Sequence, residues 1–142
     1  MFKETIVALV LVGCSLSVAQ KVKTAQECVQ QMPSSLKSRL CDHQSQMFDD
    51  TGMQMHLDCL MRAVGFAYAN GRGDYHALYN PMNAVERDRK HDYNLEVCIG
   101  KTVRKPANDR AVQFAKCLMD SNSGQTFKKV FDQEMDRKVC KS

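Results

Sequence analysis

Apolar residues along this chain recur every three or four positions and nowhere in the strict alternation of a half-buried strand, so the pattern predicts helices throughout. Thr24-x-x-Glu27 has the form of a capping box and opens a short helix through Met32, where Pro33 stops it. Ser34 or Ser35 can cap a second helix carrying Leu36, Leu40 and Cys41. The longest pattern runs from about Thr51 to Ala69, with Met53, His56, Leu57, Leu60, Val64 and Ala67 on one face. Gly71 suits a left-handed position after that helix, and Asp74 is placed as N-cap of a short helix holding Tyr75, Leu78 and Tyr79. Asn83 begins a segment reaching about Ile99, with a break near Asp92. Asn108-Asp109 starts a helix to Met119 with Ala111, Phe114, Ala115 and Leu118 inward. The last helix, from about Thr126 to Val139, points Phe127, Val130 and Phe131 into the core.

The first residues change the compartment. Lys3, an apolar run from Ile6 to Val12, and small residues at Ser17 and Ala19 form a secretory signal pattern with cleavage expected after Ala19. The run is too short, and too broken by Gly13, Ser15 and Ser17, to span a bilayer. Residues 1–19 therefore read as a signal peptide, and 20–142 as one secreted helical domain. Cleavage removes Cys14 and leaves six cysteines, at 28, 41, 59, 98, 117 and 140, an even set that implies three disulfides whose pairing sequence alone leaves open. Leu95, Cys98 and Ile99 repeat the helical spacing, as do Phe114, Cys117 and Leu118, so these sulfurs lie on apolar faces as core staples and not as reactive thiols. The fold class is all-α: a compact single domain of six to eight short helices pinned by three disulfides.

Charge and motifs exclude more than they assign. The formal net charge is +4, and its basic residues are interleaved with acids, as in "ERDRKHD" at 86–92, which reads as a solvated helix face and argues against nucleic acid. No Asn-x-Ser/Thr site occurs. Nucleophile, zinc-protease, phosphate-loop and dinucleotide fingerprints are absent, and His43, His56, His76 and His91 lack ligand spacing; the expectation is a non-enzymatic protein without metal or cofactor. Met47, Met53, Met55, Met61, Met82, Met119 and Met135 suit adaptable core packing or the lining of a small-molecule pocket.

Arg72-Gly73-Asp74 is the tripeptide that integrin ligands display. Such a ligand needs Arg and Asp splayed at the tip of an exposed loop, whereas here Gly73 serves a chain reversal and Asp74 a helix cap. Integrin antagonism through Arg72 and Asp74 is a minor reading.

The stretches "MPSSLKSRLC" (32–41), "GRGDYHALYNPMN" (71–83), "HDYNLEVCIG" (91–100) and "GQTFKKVFD" (124–132), with the order and approximate spacing of all six cysteines, resemble the short-form D-seven salivary proteins of blood-feeding mosquitoes, a branch of the insect odorant-binding superfamily. The resemblance implies an odorant-binding-protein-like domain around one small pocket, with disulfides Cys28–Cys59, Cys41–Cys140 and Cys98–Cys117. It implies secretion in saliva and either sequestration of serotonin, histamine or catecholamines, or a block of plasma contact activation at factor XII and kininogen. Residue by residue the amine site is reduced. Val29 stands where amine-binding relatives have an acid, Gln44 where they have arginine, and Ala115 where they have tyrosine. His56 and the pair Phe131-Asp132 are kept, while the next acid is replaced by Met135, with Glu134 about 100° away on the helix. The first expectation is thus an anti-haemostatic protein acting on host contact-phase proteins, factor XII and high-molecular-weight kininogen. The alternative is a serotonin scavenger whose pocket comprises His56, Phe131, Asp132, Gln44 and Ala115.

Overall fold

The computed structural model describes residues 22–42 and 51–141, so the expected signal peptide, His43, Gln44 and Met47 lie outside the described residues. The capping box forms: the Glu27 amide donates to Thr24 Oγ1 at 3.2 Å and the Thr24 amide to Glu27 Oε1 at 3.3 Å, starting α1 (Ala25–Gln30). Helix α2 (Ser34–Cys41) takes Pro33, not a serine, as its N-cap; the Pro33 carbonyl receives the amides of Leu36 and Lys37, and both serines lie inside the helix.

Helix α3 (Thr51–Ala63) ends six residues before the expected Ala69. Gly65 takes the left-handed conformation at φ +84°, and the amides of Phe66 and Ala67 both donate to the Met61 carbonyl, folding the chain back over the helix end. Ala67 fits the helical period but reaches the interior through this return, while Val64, whose amide still donates to the Leu60 carbonyl, is half-buried. Helix α4 (Tyr75–Val85) carries Pro81 inside it and runs past Asn83, which was expected to begin a new segment. Full burial of Leu78 and Met82 holds the helix through a residue that lacks an amide donor. Then follow α5 (Lys90–Thr102), α6 (Ala107–Asp120), α7 (Gly124–Met135) and a π-helical turn (Asp136–Cys140).

Helix α6 packs against α3, α5 and α7, and α4 lies against α5 and α7, around a core of Phe114, Phe127, Phe131, Leu57, Leu60, Met61, Leu78, Met82 and Leu95. Met55 is exposed and does not pack in the core. Cys28–Cys59 joins α1 to α3, Cys41–Cys140 joins α2 to the π turn, and Cys98–Cys117 joins α5 to α6, the pairing that the resemblance implied. Among the described residues no helix is long and apolar enough to cross a membrane.

The stretch 86–92 is not one solvated helix face. Residues 86–89 form the turn between α4 and α5, and His91 is fully buried. Its Nε2 lies 2.9 Å from the Glu86 carbonyl and its Nδ1 2.9 Å from Ser123 Oγ, which also accepts from Asn94 Nδ2 at 2.7 Å. With Nε2 donating to the carbonyl, Nδ1 accepts the serine hydroxyl and every polar atom at this junction is satisfied. Nearby, the Tyr75 hydroxyl donates to the Asp92 carboxylate and ties α4 to α5.

The Arg-Gly-Asp segment is closed in. Ala67 and Gly73 form an antiparallel bridge, with Tyr68 N to Arg72 O at 2.8 Å and Asp74 N to Phe66 O at 2.9 Å. Gly71 has φ +86°, as expected, and Asp74 Oδ1 accepts the Ala77 amide at 3.2 Å as the N-cap of α4. Arg62 Nη1 and Nη2 hold the carbonyls of Ala69 and Ala107 at 2.6 and 2.7 Å, fastening the loop to the start of α6. A Cβ on Gly73 would lie 2.6 Å from the buried Phe114 ring, so only a bare backbone fits. Of the three residues Arg72 alone is exposed, which is not the splayed display that an integrin needs.

Two outcomes follow. Gly73→Ala displaces the Phe114 ring and lowers stability by about 1–3 kcal/mol, measured by urea unfolding; an unchanged midpoint would contradict the close approach. The bond to Asp92 pushes the Tyr75 hydroxyl up to about 12 from its ordinary 10.0. Because the folded-state value is the higher, the stability it contributes is intact below pH 10 and is lost as pH rises towards 12. Tyr75→Phe therefore removes the highest step of an ultraviolet tyrosinate titration and costs about 1 kcal/mol at neutral pH.

Candidate ligand site

Helix α7 places Phe127, Val130, Phe131 and Met135 inward at helical spacing, with Asp132 at the edge of this stripe and 9% exposed. A carboxylate held there needs a partner, and one turn earlier Lys128 Nζ reaches Asp132 Oδ2 at 2.7 Å, both side chains largely covered. Among the described residues Asp132 is the one carboxylate in the buried class. The rings of Phe127 and Phe131 pack tilted at a centroid distance of 6.3 Å.

The replacements read from the sequence leave this interior apolar. Val29 and Met135 are buried hydrophobic residues, and Ala115 on α6 is fully buried with no hydroxyl to offer. Glu134 does not substitute for the missing acid: it turns outward to Arg137 Nη2 at 2.6 Å and Lys138 Nζ at 3.6 Å. Gln44 lies outside the described residues.

His56, on α3, is nearly buried and lines a cavity of about 320 Å³ between α1 and α3, bounded by Gln31, Met55, Asp58, Arg62 and the Cys28–Cys59 disulfide. Phe131, Asp132 and Ala115 do not line it. The expected pocket residues thus fall into two groups, joined through α6, which packs on both α3 and α7. Sequence reasoning missed Asp58. Burial raises its carboxyl above the usual range, and the Arg62 guanidinium, donating from Nε at 3.2 Å, only partly offsets that. The i, i+4 spacing of Asp58 and Arg62 was the signal available.

The chemistry on offer is that of binding: aromatic and thioether surface, one imidazole, and one buried carboxylate that already holds an ammonium. Known proteins share this framework. The profile of the PBP/GOBP family matches residues 17–121. The chain is 47% identical to the short form salivary protein D7R4 of Anopheles gambiae over 133 residues, 93% of this chain and 80% of that one. It is 43% identical to the short form salivary protein D7R1 of Anopheles stephensi over 134 residues, again 93% and 80%. The crystal structure of the Anopheles gambiae D7R4–norepinephrine complex superposes with a TM-score of 0.70 at 47% identity, covering 84% of each chain. This chain belongs to the PBP/GOBP family and, within it, to the short-form D7 salivary proteins.

Proposed function

We infer that the protein is a non-enzymatic salivary scavenger that binds a biogenic amine, of the catecholamine or indolamine class, through a reduced pocket. The observation that carries this reading is the pair Phe131-Asp132, a buried carboxylate next to an aromatic residue, in a chain 47% identical to a relative solved with norepinephrine. An ammonium leaving water must recover its solvation from an anion or an aromatic face, and Asp132 with Phe131 supplies both. Lys128 is paired with the carboxylate, so an entering ammonium displaces one cation by another. In this reading His56, in the cavity between α1 and α3, is the group for a ligand hydroxyl and Gln44 a second polar partner, while the fully buried Ala115 offers no hydroxyl where the resemblance implies a phenol.

The same residues limit the affinity. Two acids replaced by Val29 and Met135 remove two charge-assisted hydrogen bonds of roughly 1.5–3 kcal/mol each, weakening amine binding by about two to four orders of magnitude. That deficit favours a second reading, in which the protein acts on host contact-phase proteins, factor XII and high-molecular-weight kininogen, through its surface. The sequence put this target first; the solved amine complex of a relative moves the amine ahead of it.

Titration calorimetry with norepinephrine and serotonin tests the first reading. Binding is expected to be abolished by Asp132→Asn and tightened about threefold to tenfold by Lys128→Gln, which removes the competing ammonium. Heat from neither amine would exclude it. For the second reading, the measurement is clotting time in plasma triggered by a negatively charged surface: a delay that survives Asp132→Asn supports a protein target, and no delay removes it.

A further inference from the structure

A groove of about 670 Å³ runs along the seam between α5 and α6, with the Cys98–Cys117 disulfide in its lining. That bridge holds the two helices at a Cα–Cα distance of 5.6 Å, so the groove is preformed. Lys101 and Lys105 stand on one wall and Lys116 on the other, and among the described residues none of the three takes part in an ion pair. The groove contains a single carboxylate, Asp120. The first acid of α5, Asp92, is drawn to the opposite side by Tyr75. Charge that looks mixed along the sequence is therefore sorted in space, and three ammonium groups share one concavity.

The two ends of the groove differ. Lys101 and Lys105 lie towards the α5 C-terminus, whereas the other end has Asp120, Ser121 and Tyr93, which is 67% exposed, with Lys116 one helical turn before Asp120. We propose that this groove is a docking site for a linear sulfated polysaccharide. Sulfate groups meet the three lysines, compact point charges that do not require bidentate geometry. The Tyr93 ring packs on the face of a sugar, and Asp120 accepts from its hydroxyls, while the Ser121 hydroxyl is engaged within the chain, donating to the Leu118 carbonyl at 2.6 Å. A bilayer or a nucleic-acid duplex presents a broad surface that touches only the rims of such a groove; a single chain enters it. Neither His56 nor Asp132 lines the groove, so docking and amine binding are separable.

The test is calorimetry of the full chain with a heparin octasaccharide at about 50 mM salt, repeated as salt rises. Binding is expected to weaken steadily with salt and to fall about tenfold to a hundredfold in the triple variant Lys101→Glu, Lys105→Glu, Lys116→Glu. Tyr93→Ala should lose about threefold, and de-sulfated octasaccharide should not bind. A control triple, Lys37→Glu, Lys129→Glu, Lys141→Glu, carries the same charge change on exposed positions elsewhere and should lose less than about threefold. Circular dichroism melting confirms that each variant is folded; if the charge reversal unfolds the chain, the corresponding Gln triple is used and must shift the affinity in the same direction. Equal losses in the two triples, equal binding of the de-sulfated sugar, tighter binding to phosphatidylserine vesicles, or no binding at about 50 mM salt would each overturn the proposal.

Discussion

The three disulfides are the constraint on which the other features depend. Helices of 6 to 14 residues are marginal or unstable alone, and α1, at 6 residues, cannot persist without tertiary support. Each bridge joins an apolar stripe on one short helix to a different segment, across sequence separations of 31, 99 and 19 residues. The longest, Cys41–Cys140, closes nearly the whole described chain and removes the most freedom from the unfolded state, about 4–5 kcal/mol in the loop-entropy account. It also anchors the π turn after α7 to α2, which keeps Phe131 and Met135 pressed into the core. The framework thus tolerates irregular elements, such as a proline within α4 and a π turn at the end, that a small unbridged bundle could ill sustain.

Local rules were legible in the sequence, and non-local ones were not. The Thr24 capping box and the Asp74 cap involve partners three residues apart, and both form. The inward faces of α6 and α7 were read from periodicity, and Ala111, Phe114, Ala115, Leu118, Phe127, Val130 and Phe131 are all buried. Boundaries failed where packing outweighed local preference: Val64 and Ala67 match the helical period of α3 yet lie beyond its end, and Asn83 has the look of a cap while sitting inside α4. His91 was invisible as a buried junction because Ser123 is 32 residues away in the chain. In the candidate site the outward turn of Glu134 followed from helix geometry alone. Asp58 was not legible in the same way, since its altered acidity comes from burial, a property of the folded surface.

Asp132 illustrates how a carboxylate is kept stable at the edge of an apolar core. A lone carboxylate in that position would lose more hydration than the fold could restore, and the Lys128 ammonium answers this from the same helix at little entropic cost. The pair is self-neutralised, and in the proposed amine-binding reading a cationic guest must offer more than Lys128 does. Aromatic packing on Phe131 is the contribution a small amine can add and a lysine cannot.

The interior site and the surface groove meet on α6, on consecutive residues. Ala115 faces inward, while Lys116 and Cys117 line the groove, about 100° and 200° further around the helix. A rotation or slide of α6 would therefore be the obvious route by which a guest on one side could influence the other. The Cys98–Cys117 bridge opposes that motion by fixing α6 to α5, and the full burial of Phe114 and Leu118 fixes it to the core. Two faces of one immobilised helix can then carry different ligands without energetic coupling, because neither ligand has two packings of α6 between which to choose.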